Sequence, residues 1–183
     1  TVFGGNKDIS RDDKAIEILK EVFFAYGIEA EIDKRIFLGN IKTNWWMRGD
    51  AIGELGGPDS EIFFYLGEDS PEGKNPIDNE EYFIEIGNSV FMQYEKTKEG
   101  WKPLKQKNID FGGGLERIAM VVQGKTDIFE TDNFWPIINK IQQISEKNYY
   151  ESEKIKSSMR IIADHMRASM FLAMDGVIPG NKD

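Results

Sequence analysis

Apolar positions along the chain follow two periods, and each period occupies its own stretches. Ala15, Ile18, Leu19, Val22 and Tyr26 recur at helical spacing, with Gly27 as a stop and Ser10–Asp13 as a capping box. "TVF" at Thr1 reads as the end of a strand, followed by the loop "GGNKD", and "RIFLG" reads as a further short strand. "NWWMRGDAIGELGGPDSEIFFYLG" is mainly loop, rich in glycine and acids, and leads into the apolar strand "EIFFYL". The acidic stretch "GEDSPEGKNPIDNEE" has the prolines and glycines of an exposed connection.

"EYFIEIGNSVFMQYEK" then reads as one long strand. One parity holds Tyr82, Ile84, Ile86, Asn88, Val90 and Met92; the other holds Phe83, Glu85, Gly87, Ser89 and Phe91. The second set has a charged and small centre, which a purely structural strand face rarely needs. "KEGW" is a hairpin-like turn, after which "KPLKQKNIDF" runs into Gly112, Gly113 and Gly114.

Helical spacing returns beyond the glycines. Leu115, Ile118, Ala119 and Val122 form one face, and Phe134, Ile138, Ile141 and Ile144 another after Thr131–Asp132. A last helix from about Ile155 through Met174 carries Met159, Ile162, Ala163, Met166 and Met170. Strands followed by helices predict an α+β fold, an antiparallel sheet flanked by helices. A composition shift after Ser145, through "EKNYYESEK", divides the chain into 1–145 and a helical segment 146–183.

Composition narrows the function classes. The 183 residues, 40% hydrophobic and 12% aromatic, are enough for a real core. Lys+Arg 23 against Asp+Glu 32 gives a net charge of −9, which argues against holding nucleic acid by charge alone. The absence of cysteine excludes disulfides and thiolate metal sites, and points to a reducing, cytoplasmic setting. No apolar run approaches membrane-spanning length, so no membrane role is expected.

The three glycines ahead of "LER" raise the question of chemistry. Glycine costs backbone entropy in regular structure, so a run of them marks either a flexible turn or a place where something approaches the backbone closely. A P-loop needs Gly-Lys-Ser/Thr after the glycines, and neither "GGNKD" nor "GGGLER" supplies it. The dinucleotide fingerprint fails as well, because Arg117 stands where a glycine is needed. Arg117 falls in the first turn of a helix and off its apolar face, where an anion would be favoured. On spacing alone, a phosphate ligand and an ordinary solvated arginine paired with a nearby acid are equally supported.

"GGGLER" resembles the third signature of the class II aminoacyl-tRNA synthetases, a glycine-rich strand running into a helix that begins with an arginine. "NWWMRGD", "SEIFFY", "YFIEIGNSVFMQY", "PLKQKNIDFGGGLERIAMVVQGK", "TDNFWPII" and "RIIADHMRASMFLAMDGVIPGN" are similar, in order, to the alanyl-tRNA synthetase branch. The similarity runs from about Asn44 to the C-terminus. It implies an alanine–tRNA ligase, which joins alanine to ATP and passes the alanyl group to tRNA(Ala).

The resemblance also implies roles for particular residues. Arg117 would grip the terminal phosphates of ATP, with Gly112 and Gly114 under the adenosine. Asp110 would hold the ammonium of alanine, and Trp46, Asn88 and Val90 would line its pocket. Glu85 would stand near ATP and Mg2+, although strand alternation puts it opposite Asn88 unless the strand bulges at Gly87. For Asp110 the residues alone favour a turn aspartate bonded to its own backbone, and for Trp46 core packing is the competing role, as it is for Trp45.

Arg160, Arg167 and Lys156, with Lys154, are the candidate tRNA contacts, and an ordinary charged helix face accounts for them equally well. His165 is expected to be a hydrogen-bonded helix residue. No zinc site is expected. The family's first two signatures would lie upstream of Thr1, so an N-terminal catalytic half would be missing and the chain alone inactive; an exposed sheet edge would permit a dimer. The chain departs from the family in its 51–59 loop, "AIGELGGPD", and at Gly87, where a tryptophan is common. Those departures leave a non-catalytic nucleotide- or partner-binding module as the alternative.

Overall fold

A computed structural model describes residues 1–180. The chain forms two compact units, Thr1–Ile118 and Ala119–Asp183.

The first unit is built on one sheet. Its strands are β1 (Val2–Phe3), β2 (Leu38–Gly39), β3 (Trp45–Met47), β4 (Leu55–Tyr65), β5 (Phe83–Thr97) and β6 (Gly100–Gly113), with helix α1 (Asp13–Ala25) between β1 and β2. The strand order is β2-β1-β4-β5-β6, with β3 also paired to β4. β1 and β2 run parallel and every other pairing is antiparallel. The long β5–β6 hairpin turns at Thr97–Gly100, where Gly100 adopts φ 113°, a conformation only glycine takes without strain.

Helix α1 packs Ala15 and Ile16 into a core with Val2, Ala30 and Ile36, and Leu19, Phe23 and Phe91 close around it. The expected face is therefore displaced: Ile18 and Val22 are about half exposed and Tyr26 is 82% exposed. The cap is also different. Asp12, not Ser10, accepts the Ala15 N–H at 3.1 Å.

The largest change concerns the expected loop before "EIFFYL". β4 already begins at Leu55, so "LGGPDS" is strand. Glycine makes this possible. A Cβ on Gly57 would lie 1.8 Å from the Phe91 carbonyl oxygen, and one on Gly56 would lie 2.7 Å from the Trp101 ring. A glycine pair followed by proline reads as a turn from sequence, yet here it marks close approach of one backbone to its neighbours. Trp45 packs with Phe3 and Ile9 in a second cluster edged by Tyr94 and Trp101.

The second unit is helical. Helix α2 (Leu115–Val122) spans the division between the units in sequence, and α3 (Trp135–Ser145) and α4 (Glu153–Met174) follow it. Phe134, Ile138, Tyr149, Met159 and Ala163 form its core. Ser152 caps α4 through the Ile155 N–H. The α2 face expected to be buried is open instead, with Leu115 70% and Val122 80% exposed, while Met120 is buried.

Candidate active site

Register across β4, β5 and β6 decides which side chains meet. Asp59 opposes Val90, which opposes Asp110; Glu61 opposes Asn88, which opposes Gly112. Opposed residues share a face, and residues two apart on one strand share it too. Asp59, Glu61, Asn88, Val90, Asp110 and Gly112 therefore occupy one face of three neighbouring strands. Phe91 and Ser89 alternate to the other face, and it is Phe91 that joins the core under α1.

Glu85 reaches the same face through a break in register. Ile62 pairs with Gly87 and Phe63 with Glu85, which leaves Ile86 unopposed on β5. This bulge shifts alternation by one residue, so Glu85 lies on the side of Asn88. The expected bulge thus exists, with Ile86 as its extra residue and Gly87 beside it. Gly87 itself faces the opposite side, where the Phe111 ring would meet a Cβ at 2.9 Å. The change at Gly87 therefore makes room for Phe111 and does not shape the site face.

The glycine run joins this face to the start of α2. Gly114 N–H donates to the Ile86 carbonyl at 3.2 Å, and Arg117 folds back so that its side chain crosses Gly114 at 3.1–3.4 Å from a Cβ position. Arg117 Nη1 donates to the Glu85 carbonyl at 2.9 Å and stands 3.7 Å from the Glu85 carboxylate. A Cβ on Gly112 would meet no atom within 4 Å, so the space above it is open. Asp110 is exposed on β6 and accepts its neighbour Phe111 N–H at 2.9 Å through Oδ1. Half-buried Trp46 lies on β3 opposite Gly57, whereas Trp45 beside it is buried core.

The acids on this face sit in unequal surroundings. Asp59 is 4% exposed, and burial pushes its carboxyl up to about 6 despite hydrogen bonds from Asn44 and Asn88; Glu85 adds to the rise. Asn44 Nδ2 reaches Asp59 Oδ1 at 3.1 Å, and the same nitrogen donates to Thr1 Oγ1 at 2.8 Å. Glu61 is also raised, again by burial first. Nothing in the sequence patterning singled out Asp59, because a residue read as loop has no assigned face.

A family model described as "tRNA synthetases class II (A)" matches residues 7–183. The chain belongs to that family. Among similar curated proteins are the alanine–tRNA ligases of Treponema denticola, 41% identical over 180 residues, and Chloroflexus aurantiacus, 40% identical over 187 residues. The chloroplastic/mitochondrial alanine–tRNA ligase of Arabidopsis thaliana is 42% identical over 173 residues. These alignments cover 96%, 99% and 93% of this chain, but the chain spans only 28%, 19% and 17% of the respective relatives.

In this synthetase chain, four of the expected site residues, Glu85, Asn88, Val90 and Asp110, share one face with Gly112, and Arg117 adjoins Glu85. Arg160 and Lys156 have a different neighbourhood, inside the helical unit. Arg160 Nη2 lies 2.6 Å from Asp127 Oδ2 and Arg160 Nε donates to Tyr149 Oη at 2.8 Å; Lys156 Nζ lies 3.3 Å from the same Asp127 oxygen. Tyr149, fully buried, donates to Asp127 at 2.8 Å. Burial pushes the Asp127 carboxyl up, but hydrogen bonds from Arg160, Tyr149 and the Phe129 N–H outweigh it and hold it below the usual range. Arg167 lies over the Phe134 ring at 4.3 Å. Lys154 and His165 are exposed, with His165 Nδ1 3.4 Å from Asp164.

Among the described residues no three His, Cys, Asp or Glu side chains converge as a metal site, and no helix is long and apolar enough to cross a membrane.

Proposed function

We propose that the chain is part of an alanine–tRNA ligase, in which its sheet face holds alanine and ATP while alanyl-adenylate forms, before transfer to tRNA(Ala). The observation that carries this reading is the Ile86 bulge, which gathers Glu85, Asn88, Val90 and Asp110 on one face beside the bare backbone at Gly112 and the guanidinium of Arg117. Support comes also from the alanine–tRNA ligase relatives.

Activation joins the alanine carboxylate to the α-phosphate of ATP and releases pyrophosphate. Such a step is helped by positioning and by charge stabilisation rather than by a nucleophilic side chain. Asp110 would pair with the ammonium, and Asn88, Val90 and Trp46 would bound the methyl. Open space above Gly112, with Gly114 alongside, lets adenosine lie against the strand. Arg117, in the first turn of α2, would take the terminal phosphates. One carboxylate plus phosphate oxygens is a donor set that suits Mg2+, and Glu85 would supply that carboxylate. Bound Mg2+ would neutralise phosphate charge.

The tRNA-recognition segment would begin in the helical part, after residue 145, with Arg160, Arg167 and Lys156 as its candidate contacts. Another part of the complete enzyme, or a second copy, would pair along the outer edge of β6, the last strand in the sheet order. The complete enzyme would work in the cytoplasm.

Alanine-dependent exchange of pyrophosphate into ATP by the complete enzyme tests the reading. Wild-type exchange that falls at least about 100-fold in Arg117→Ala is expected, since charge-stabilising groups contribute on that scale. Exchange that ignores alanine would overturn it.

A further inference from the structure

The distal half of the β5–β6 hairpin carries a feature that the candidate site does not use. The two strands are paired from Gly87↔Gly113 to Met92↔Asn108, and again from Tyr94↔Pro103 to the turn. Between those stretches Gln93 alone stands on β5, whereas Leu104, Lys105, Gln106 and Lys107 stand on β6. Three residues of β6 are therefore surplus and swell out of the ladder, on the strand that ends the sheet order. Gln106 is tied back to Asn108 at 3.4 Å. Lys105 and Lys107 are exposed, and their ammonium groups make no hydrogen bond or ion pair among the described residues.

Positive charge is concentrated here. Residues 95–108 hold five lysines against two glutamates, a formal +3 in a chain whose net charge is −9. Lys96 pairs with Asp50 and Lys102 with Glu99, which leaves Lys98 near the turn and the two bulge lysines to solvent. Lys107 is three residues from Asp110 on the same strand, roughly 10 Å at the usual strand rise. Lysines and bulges also blunt sheet edges against pairing with other chains. One extra residue or one lysine suffices for that task; here three extra residues carry two lysines.

We infer that the β6 bulge is an RNA contact: Lys105 and Lys107 bind phosphates in the unpaired 3′ end of the tRNA whose terminal nucleotide takes the alanyl group. This rests on the proposed placing of alanine at Asp110. The terminal nucleotide must reach the alanyl carbonyl there, so the backbone a few nucleotides behind it lies at the distance of the bulge. A point charge on a flexible stem suits a phosphate, which it neutralises without reading sequence. In an acidic chain such contacts are confined to local patches, and this patch lies in the same compact unit as the sheet face.

Anisotropy titration of the complete enzyme with a tRNA(Ala) transcript tests the contact. Lys105→Ser with Lys107→Ser should weaken binding about tenfold at about 0.1 M salt, and should make log K less steep against log salt by about 1.4, two phosphates at ~0.7 each. Lys105→Arg with Lys107→Arg should bind within about twofold of wild type, because the charge is kept. Lys7→Ser with Lys42→Ser, which removes the same charge at exposed positions outside the hairpin, should also stay within about twofold, since salt screens distant charges. Trimming the unpaired 3′ nucleotides from the tRNA should cost the wild type about tenfold more than the serine variant, the mark of two changes that share one interaction. Pyrophosphate exchange, which needs no tRNA, should be the same in the serine variant and the wild type, and shows that the variant is folded.

An unchanged affinity or salt slope, an equal loss in the Lys7 and Lys42 control, or equal losses on trimming would each overturn the inference. So would a serine variant that self-associates in sedimentation with unaltered RNA binding, which would assign the bulge to edge protection. Wild-type enzyme without alanine-dependent exchange would overturn the functional reading, whereas the RNA titration decides this contact.

Discussion

Glu85 and Asn88 stand three residues apart on β5 and face the same side of the sheet, because Ile86 has no partner on β4. Regular alternation would separate them. The bulge is thus the feature that assembles the candidate site. Arg117 then reads the bulged strand directly, through the Glu85 carbonyl at 2.9 Å.

Glycines on this sheet should separate stability from binding. At Gly112 a Cβ would meet open space, so Gly112→Ala is expected to leave the fold as stable or firmer by ~0.4–1 kcal/mol, from reduced freedom of the unfolded chain. The same methyl would intrude where adenosine is proposed to lie, and ATP affinity should drop about tenfold or more. Gly57→Ala, with its Cβ 1.8 Å from a carbonyl oxygen, should instead lower stability by ~1–3 kcal/mol or more. Urea unfolding and nucleotide titration of both variants check the contrast. Equal binding by Gly112→Ala and wild type would remove the adenosine from this strand.

Stability should fall as pH rises from about 4 to about 6. Asp59 has a folded-state pKa of about 6 against 3.8 for the free side chain, so the native state holds the extra proton across that window. The unfolded chain binds fewer protons there, and stability therefore declines with rising pH, by an upper figure on the order of 3 kcal/mol. Glu61, raised by burial too, contributes with the same sign. Asp59→Asn should flatten the decline, as read from urea midpoints at successive pH values. A wild-type curve that climbs through the window would contradict the burial argument.

Asp127 should behave in the opposite sense. Its carboxyl is held low by Arg160 and Tyr149, so its contribution is present above the ordinary aspartate range and lost as pH falls below it. Removing Arg160 takes one of two cations from a carboxylate that is 8% exposed; Lys156 and the Tyr149 hydroxyl remain beside it, so the cost stays below the ~3–5 kcal/mol of a buried charge left wholly unpaired. Arg160→Ala should therefore lower the thermal midpoint of the chain by several degrees. Asp127→Asn with Arg160→Met, which removes the carboxylate along with the guanidinium, should lower it less. A midpoint unchanged in Arg160→Ala would mean the network carries no stability.

Periodicity made the long β5, the β5–β6 hairpin and the helices after the glycines legible in the sequence, because their apolar repeats or turn residues are strong local signals. The faces of α1 and α2 were not. Ile18, Val22, Leu115 and Val122 fit a helical stripe yet are exposed, since spacing reports which residues share a face and not which face finds a partner. "LGGPDS" was hidden by its glycines, whose function as close-approach points depends on Phe91 and Trp101, distant in sequence. Asp59 disappeared with it. For the site, residue types and the bulge were readable, whereas the commitment of Arg160 and Lys156 to Asp127 required the packing of three segments.

The central claim is that one face of this sheet holds alanine joined to adenosine. Calorimetric titration of the chain with a non-hydrolysable alanyl-adenylate analogue, beside the Asp110→Asn variant, tests it most directly. The account predicts saturable heat from the wild type and binding weaker by about 100-fold in the variant, as expected when a substrate ammonium loses its carboxylate. Equal binding by the two proteins, or no heat from a folded wild-type chain, would contradict it.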